Sequence, residues 1–170
     1  QSSISPDGIT VADLVGRGRF PHQSAMRTWS RADEQAVADA MAATRTTELS
    51  RRLVDELSGG QRQRVWVAMA LAQQTGHLLL DEPTTFLDIA HQIDLMELFA
   101  DLHREGTTLV AVLHDLNQAA RYATHLVAMR DGQIVAQGDP REIITAELVE
   151  AVYDLPCTVI TDPVSGTPLV

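Results

Sequence analysis

The 170-residue chain carries 23 acidic against 13 basic side chains, a formal net charge of -10, and is 45% apolar, which suits one globular domain that folds mostly as one unit. So acidic a balance excludes a general affinity for nucleic-acid phosphates or an anionic bilayer face, and any phosphate site must be local. Cys157 is the only cysteine, which excludes an internal disulfide or a thiolate metal cluster and fits a reducing cytoplasm; with no run of roughly 20 apolar residues, membrane association would come through a partner.

Residues 1–8 read as loop, since Pro6 and Gly8 sit among small polar side chains without a period. Thr10 can cap a short helix over 11–15, which Gly16-Arg17-Gly18-Arg19-Phe20-Pro21-His22 then breaks. Over 30–44 the pattern is helical: Ser30 has Asp33-Glu34 at capping distance, and Val37, Ala40 and Met41 share a face. A further helix starts near Ser58. After Gly76 the character changes, because 77–80 and 107–113 are unbroken apolar or β-branched runs suited to parallel strands covered on both faces. The helix between them, 88–104, carries Ile89, Ile93, Met96 and Ala100 at helical spacing and ends at Gly106. Strand, helix, strand makes the fold class α/β. Asp131-Gly132 between the apolar runs 126–129 and 134–136 predicts an antiparallel hairpin. One or two helices follow over 140–153, then a short tail with Pro and Gly.

Three places carry chemistry. In Leu57-Ser58-Gly59-Gly60-Gln61, a capping serine and two glycines precede a helix whose first turn leaves N–H donors free for an anion; a plain capping box of Ser58 with Gln61 accounts for the same residues. Leu78-Leu79-Leu80-Asp81-Glu82-Pro83 sets two carboxylates at a strand end, the edge where open α/β sheets bind ligands. In a nucleotide site Asp81 would hold Mg²⁺ and Glu82 would polarise a water, while an ordinary acidic helix start led by Pro83 is the competing account. His114 follows the second apolar run and suits a phosphate contact, although a histidine in a loop needs no such role. His22, His77, His91, His103 and His125 show no metal-ligand spacing and receive no role.

The order of these elements resembles the ABC ATPase family. The resemblance implies that Leu57, Ser58, Gly59, Gly60 and Gln61 are the signature motif and that residues 78–82 are the Walker B strand, with Asp81 on Mg²⁺ through water and Glu82 as catalytic base. Phe86-Leu87-Asp88 is similar to the D-loop, with Asp88 at the nucleotide, and His114 to the switch histidine on the γ-phosphate. Gln1 is similar to the Q-loop glutamine that reaches Mg²⁺ and the attacking water. The family fold implied is the C-terminal portion of a P-loop, RecA-like ATPase domain with a helical signature subdomain. It divides into 1–75 (Q-loop end and helical subdomain), 76–139 (the second half of the ATPase core) and 140–170 (a helical extension and tail). Thr10-Val11 with residues 16–22, Asp88-Ile89-Ala90-His91-Gln92 and residues 114–119 are similar to the ferric-siderophore import ATPases of the enterobactin type. Vitamin B12 and haem importers share much of the pattern.

The resemblance implies ATP and Mg²⁺ as cofactors and a second ATPase subunit in a head-to-tail dimer. It further implies permease subunits in the membrane, a siderophore-binding protein as indirect partner, no nucleic acid, and a place at the cytoplasmic face of the inner membrane. No G-x-x-x-x-G-K-[ST] occurs, so the sequence is expected to start after the phosphate loop and to lack useful ATP affinity by itself; a non-catalytic remnant and an ATPase of DNA repair or translation are the rivals. Residues 17–29 are expected to dock the permease, through Phe20, Met26 and Trp29 with Arg17, Arg19 and Arg27, unless the aromatics fill the subdomain core.

Overall fold

The computed structural model describes residues 8–23 and 29–170; Gln1, Met26 and Arg27 lie outside them. The described chain forms two compact units, 1–111 and 112–170, where its length suggests one. The reason lies in strand pairing: β1 (His77–Asp81) pairs with β2 (Thr108–Val112), β3 (Leu126–Arg130) with β4 (Gln133–Gly138), and β5 (Ile160–Thr161) with β6 (Pro168–Leu169), so the described strands make three two-stranded sheets and no continuous one.

The first unit is built on three mutually packed helices, α1 (Val11–Gly16), α2 (Arg31–Ala43) and α3 (Gly59–Leu71). Each starts where a hydroxyl can satisfy its free N–H groups. Thr10 Oγ1 accepts from the Asp13 N–H, and Ser30 and Ser58 form capping boxes with Asp33 and Gln61. Two more donors at the start of α1, the N–H groups of Val11 and Ala12, bond the Arg52 and Ser50 carbonyls. Val11, Leu14, Val15, Val37, Met41, Val54 and Val65 bury their side chains together here; removing one such side chain down to alanine costs about 2–5 kcal/mol. Residues 17–22 continue α1 as a 3-10 helix instead of breaking it.

Helix α4 (Ile89–Arg104) links β1 to β2. Its buried stripe is Leu95, Met96, Leu98, Phe99 and Leu102, whereas Ile89 and Ile93 are exposed. The expected face of the helix is therefore rotated: the leucines C-terminal to Ile93 offer a longer stripe at three- and four-residue spacing, and that stripe is the one buried. The strands likewise differ from expectation. Leu79, Val110 and Val112 are exposed, so β1 and β2 are not covered on both faces, and their alternating burial is that of a sheet with one packed side.

In the second unit Asp131 and Gly132 both take the left-handed backbone of a two-residue hairpin turn, at φ 52° and 76°, and Arg130 faces Gln133 across it. Helices α5 (Leu116–Tyr122), α6 (Pro140–Ile143) and α7 (Ala146–Tyr153) complete this unit. Arg130 ties the hairpin to the end of α7: its guanidinium grips both carboxylate oxygens of Asp154 at 2.9 and 2.6 Å and the Ala151 carbonyl at 2.6 Å. Among the described residues no helix is long and apolar enough to cross a membrane.

Candidate functional site

Ser58 sits exposed at the head of α3, with the buried Leu57 behind it. The Gln61 N–H donates to Ser58 Oγ at 3.3 Å, and the Ser58 N–H donates to the Gln61 amide oxygen at 3.1 Å. The capping box is thus formed, and it leaves the N–H groups of Gly59 and Gly60 without a partner inside the helix, since the first turn has no acceptor for them. Gly59 is exposed, and a side chain there would make only ordinary contact with Leu87 Cδ2, at 3.6 Å. Gly60 is buried, and a Cβ on it would fall 2.2 Å from His91 Cδ2. Of the two glycines, the first has an exposed backbone with room for a side chain, whereas the second is closed in by a neighbour in the same chain.

Asp81 ends β1 with its side chain exposed, and Glu82 follows at φ 48°, in left-handed space that a glutamate seldom adopts. Pro83 and Thr84 are buried, and the Thr85 hydroxyl donates to a Glu82 carboxylate oxygen at 3.2 Å. Phe86 takes φ 65° and is almost wholly exposed. The segment 82–88 is therefore an ordered turn, not a plain helix start, and Gln92 braces it by donating from its amide to the Leu87 and Thr84 carbonyls at 3.0 and 3.3 Å. Asp88 caps α4 by accepting from the His91 N–H at 2.9 Å. That main-chain donor, and then the His91 imidazole with Nδ1 2.8 Å from either Asp88 oxygen, hold the Asp88 carboxyl below its usual range.

The first unit brings 57–61 together with 87–91 and joins Asp81 and Glu82 to them through one short turn. His114 belongs to the second unit, exposed in the connection from β2 to α5, where the following Asp115 caps α5 by accepting from the Asn117 and Gln118 N–H groups. Gln1 is outside the described residues. His91 and Gln92 hold positions that metal-ligand spacing could not reveal. The available signal was an aspartate three residues before a histidine at a helix start, which places cap and ring on the same turn.

Among the docking candidates, Arg17, Phe20 and Trp29 are exposed and border an open groove of about 800 Å³ with Gly16, Val37 and Met41. The aromatics thus lie outside the subdomain core. Arg19 does not belong with them. It is buried, with Nε 3.0 Å from Asp33 Oδ1 and Nη1 donating to the Ala72 carbonyl at 2.6 Å, so its charge is consumed inside the fold.

A sequence profile described as ABC transporter matches residues 7–85. Over 171 residues the chain is 62% identical to the ferric enterobactin transport ATP-binding protein FepC of Escherichia coli, an alignment covering all of this chain and 63% of that protein. Across a solved inward-facing ABC transporter assigned to the metal-chelate type, the match covers 98% of this chain and 69% of that one, with 31% identity and a TM-score of 0.87. The chain belongs to the ABC transporter family. Its fold is that of the C-terminal portion of the family's ATPase domain. It is also 52% identical over 170 residues to the achromobactin transport ATP-binding protein CbrD of Dickeya dadantii, covering 99% of this chain and 63% of CbrD. The chain spans less than two thirds of the length of either named relative.

Proposed function

We propose that this chain works within the ATP-hydrolysing subunit of an ABC importer that energises uptake of iron–siderophore complexes, with vitamin B12 or haem as the alternative cargo. The observation that carries this is the 62% identity along the whole chain to an enterobactin transport ATP-binding protein. Cargo class rests on that likeness. The helical core, all of it within residues 11–72, supports treating 1–75 as the signature subdomain, 76–139 as the second half of the ATPase core and 140–170 as an extension.

The residues fit Mg-ATP by their chemistry. A carboxylate at a strand end suits Mg²⁺, which takes one or two protein oxygens and leaves its other positions to phosphate and water; Asp81 is that residue, with Gln1 as a second ligand. Bound Mg²⁺ would neutralise charge on the transferring phosphoryl group. Glu82, adjacent and held by Thr85, accepts the proton of the attacking water. His114 would contact the γ-phosphate. Ser58 and the Gly59 N–H present donors at the positive end of α3 to a nucleotide held by the second subunit of a head-to-tail dimer, with Leu57 and Gln61 fixing that end and Asp88 completing the contact. Catalysis here is positioning and charge stabilisation.

Permease subunits, served by a siderophore-binding protein, would meet the groove bordered by Arg17, Phe20 and Trp29, and the subunit would work at the cytoplasmic face of the inner membrane; the net charge of -10 supports assigning no nucleic-acid partner. The deciding experiment is Glu82→Gln in the subunit extended to the length of its relatives. Turnover should fall by about 10²-fold or more, the scale of a lost general base, while ATP stays bound in a dimer. Near-normal turnover would remove Glu82 from the base role and the proposal with it.

A further inference from the structure

We propose that His91 is a positioning residue that locks the head of α3 in register with the turn 82–88, and that residue 60 is glycine because the His91 ring fills the space its side chain would need. This rests on the function proposed above only for its effect on turnover; the contact itself stands on geometry.

The imidazole is held at both ends. On one side Nδ1 lies 2.8 Å from each oxygen of Asp88; a carboxylate can only accept, so Nδ1 carries the proton and the ring is oriented. On the other side the Cδ2–Nε2 edge presses on the Gly60 backbone, where a Cβ would meet Cδ2, Cγ and Nε2 at 2.2, 2.8 and 3.1 Å. Such overlap needs one of the two helices to move, because the ring is pinned by its cap. Two neighbouring contacts follow the same line. Leu87 Cδ2 lies 3.6 Å from where a Cβ on Gly59 would stand, and one helical turn on, Arg64 Nη2 bonds Asp94 Oδ2 at 3.0 Å. Contacts 59 with 87, 60 with 91 and 64 with 94 advance together, so α3 and α4 run side by side in the same direction, with His91 as the spacer at their heads. Asp88 and Gly59, one at each end of this spacer, are residues assigned to the nucleotide, and a misplacement of about 1 Å at such a site costs up to 10²-fold in rate.

The test is a cycle of Gly60→Ala, His91→Ala and the double variant in the full-length subunit, read by melting temperature and by steady-state ATP turnover. Gly60→Ala alone should lower both. In the His91→Ala background, where the ring is gone, the same change should leave the melting temperature close to that of His91→Ala, the non-additivity expected of residues in contact. His91→Ala itself should lower kcat on the order of tenfold with KM for ATP within about twofold, the signature of misplaced groups and not of lost nucleotide binding. If Gly60→Ala does not fold, recovery of folding on adding His91→Ala supports the contact, and continued failure overturns it. Additive melting temperatures, or wild-type turnover in His91→Ala, also overturn the inference. If the thermal cycle is non-additive while Glu82→Gln keeps its turnover, the contact stands and the proposed function fails.

Discussion

Arg19 and Asp33 show how one buried pair can resemble a surface feature in the sequence. Asp33 was legible as the third residue of a capping box, and it does receive the Ser30 N–H and hydroxyl, at 3.0 and 2.6 Å. Arg19 was not legible, since it stands in a glycine-rich run beside an exposed arginine, and its partners at Ala72 and Gln74 lie more than 50 residues away. The Ser30 hydroxyl and then the Arg19 guanidinium hold the Asp33 carboxyl at about 2, against 3.8 for a free side chain. A carboxyl depressed in the fold stabilises above its unfolded value and loses that contribution as pH falls toward the folded one. Asp33 therefore supports the fold fully above pH 4 and progressively less down to about pH 2. Asp33→Asn should be less stable than the wild type at pH 7 and flatter in its stability across that acid window, as followed by chemical denaturation. Arg19→Ala, which strands Asp33 without its cation, should lower the melting temperature on the order of ten degrees; no change would mean that the pair is solvated in solution.

Helix heads were the most legible elements, because a hydroxyl and an acceptor three residues on specify a cap without help from the rest of the chain. Thr10, Ser30 and Ser58 all cap as the sequence predicts, and Asp131-Gly132 turns the hairpin. Which face of a helix is buried depends instead on what packs against it, and so α4 buries Leu95 and Phe99 while Ile89 and Ile93 stay exposed. The two serine boxes offer an internal comparison. Ser30→Ala and Ser58→Ala should each cost about 1 kcal/mol of stability by urea titration, the usual loss of a cap. Only Ser58→Ala should also lower ATP turnover in the full-length subunit. Equal turnover in both variants would reduce Ser58 to a cap and remove it from the nucleotide.

At the scale of the molecule, the linear order of site residues was legible and their assembly only in part. Asp81, Glu82 and the head of α3 fall in one unit and His114 in the other, where the sequence alone sets Asp81 and Glu82 beside His114 in 76–139 and the head of α3 in 1–75. The arginines of the docking segment could not be told apart by composition; burial separates them, leaving Arg17 on the groove with Phe20 and Trp29. Arg17→Glu with Phe20→Ala in the full-length subunit should keep melting temperature and basal ATP hydrolysis while abolishing co-purification with the permease. Unchanged complex formation would place the permease elsewhere.

The left-handed backbone at Glu82 carries a consequence for how far this protein could be hardened. A residue of that type at φ 48° stores on the order of 1 kcal/mol, and Phe86 four residues on adds to it at φ 65°. Asparagine tolerates this conformation better than glutamate does. Glu82→Asn should therefore melt at a higher temperature than the wild type while hydrolysing almost no ATP, a gain in durability exchanged for loss of the work. A screen that selects variants of this subunit for heat resistance alone would be drawn to position 82 and would return folded, inert proteins.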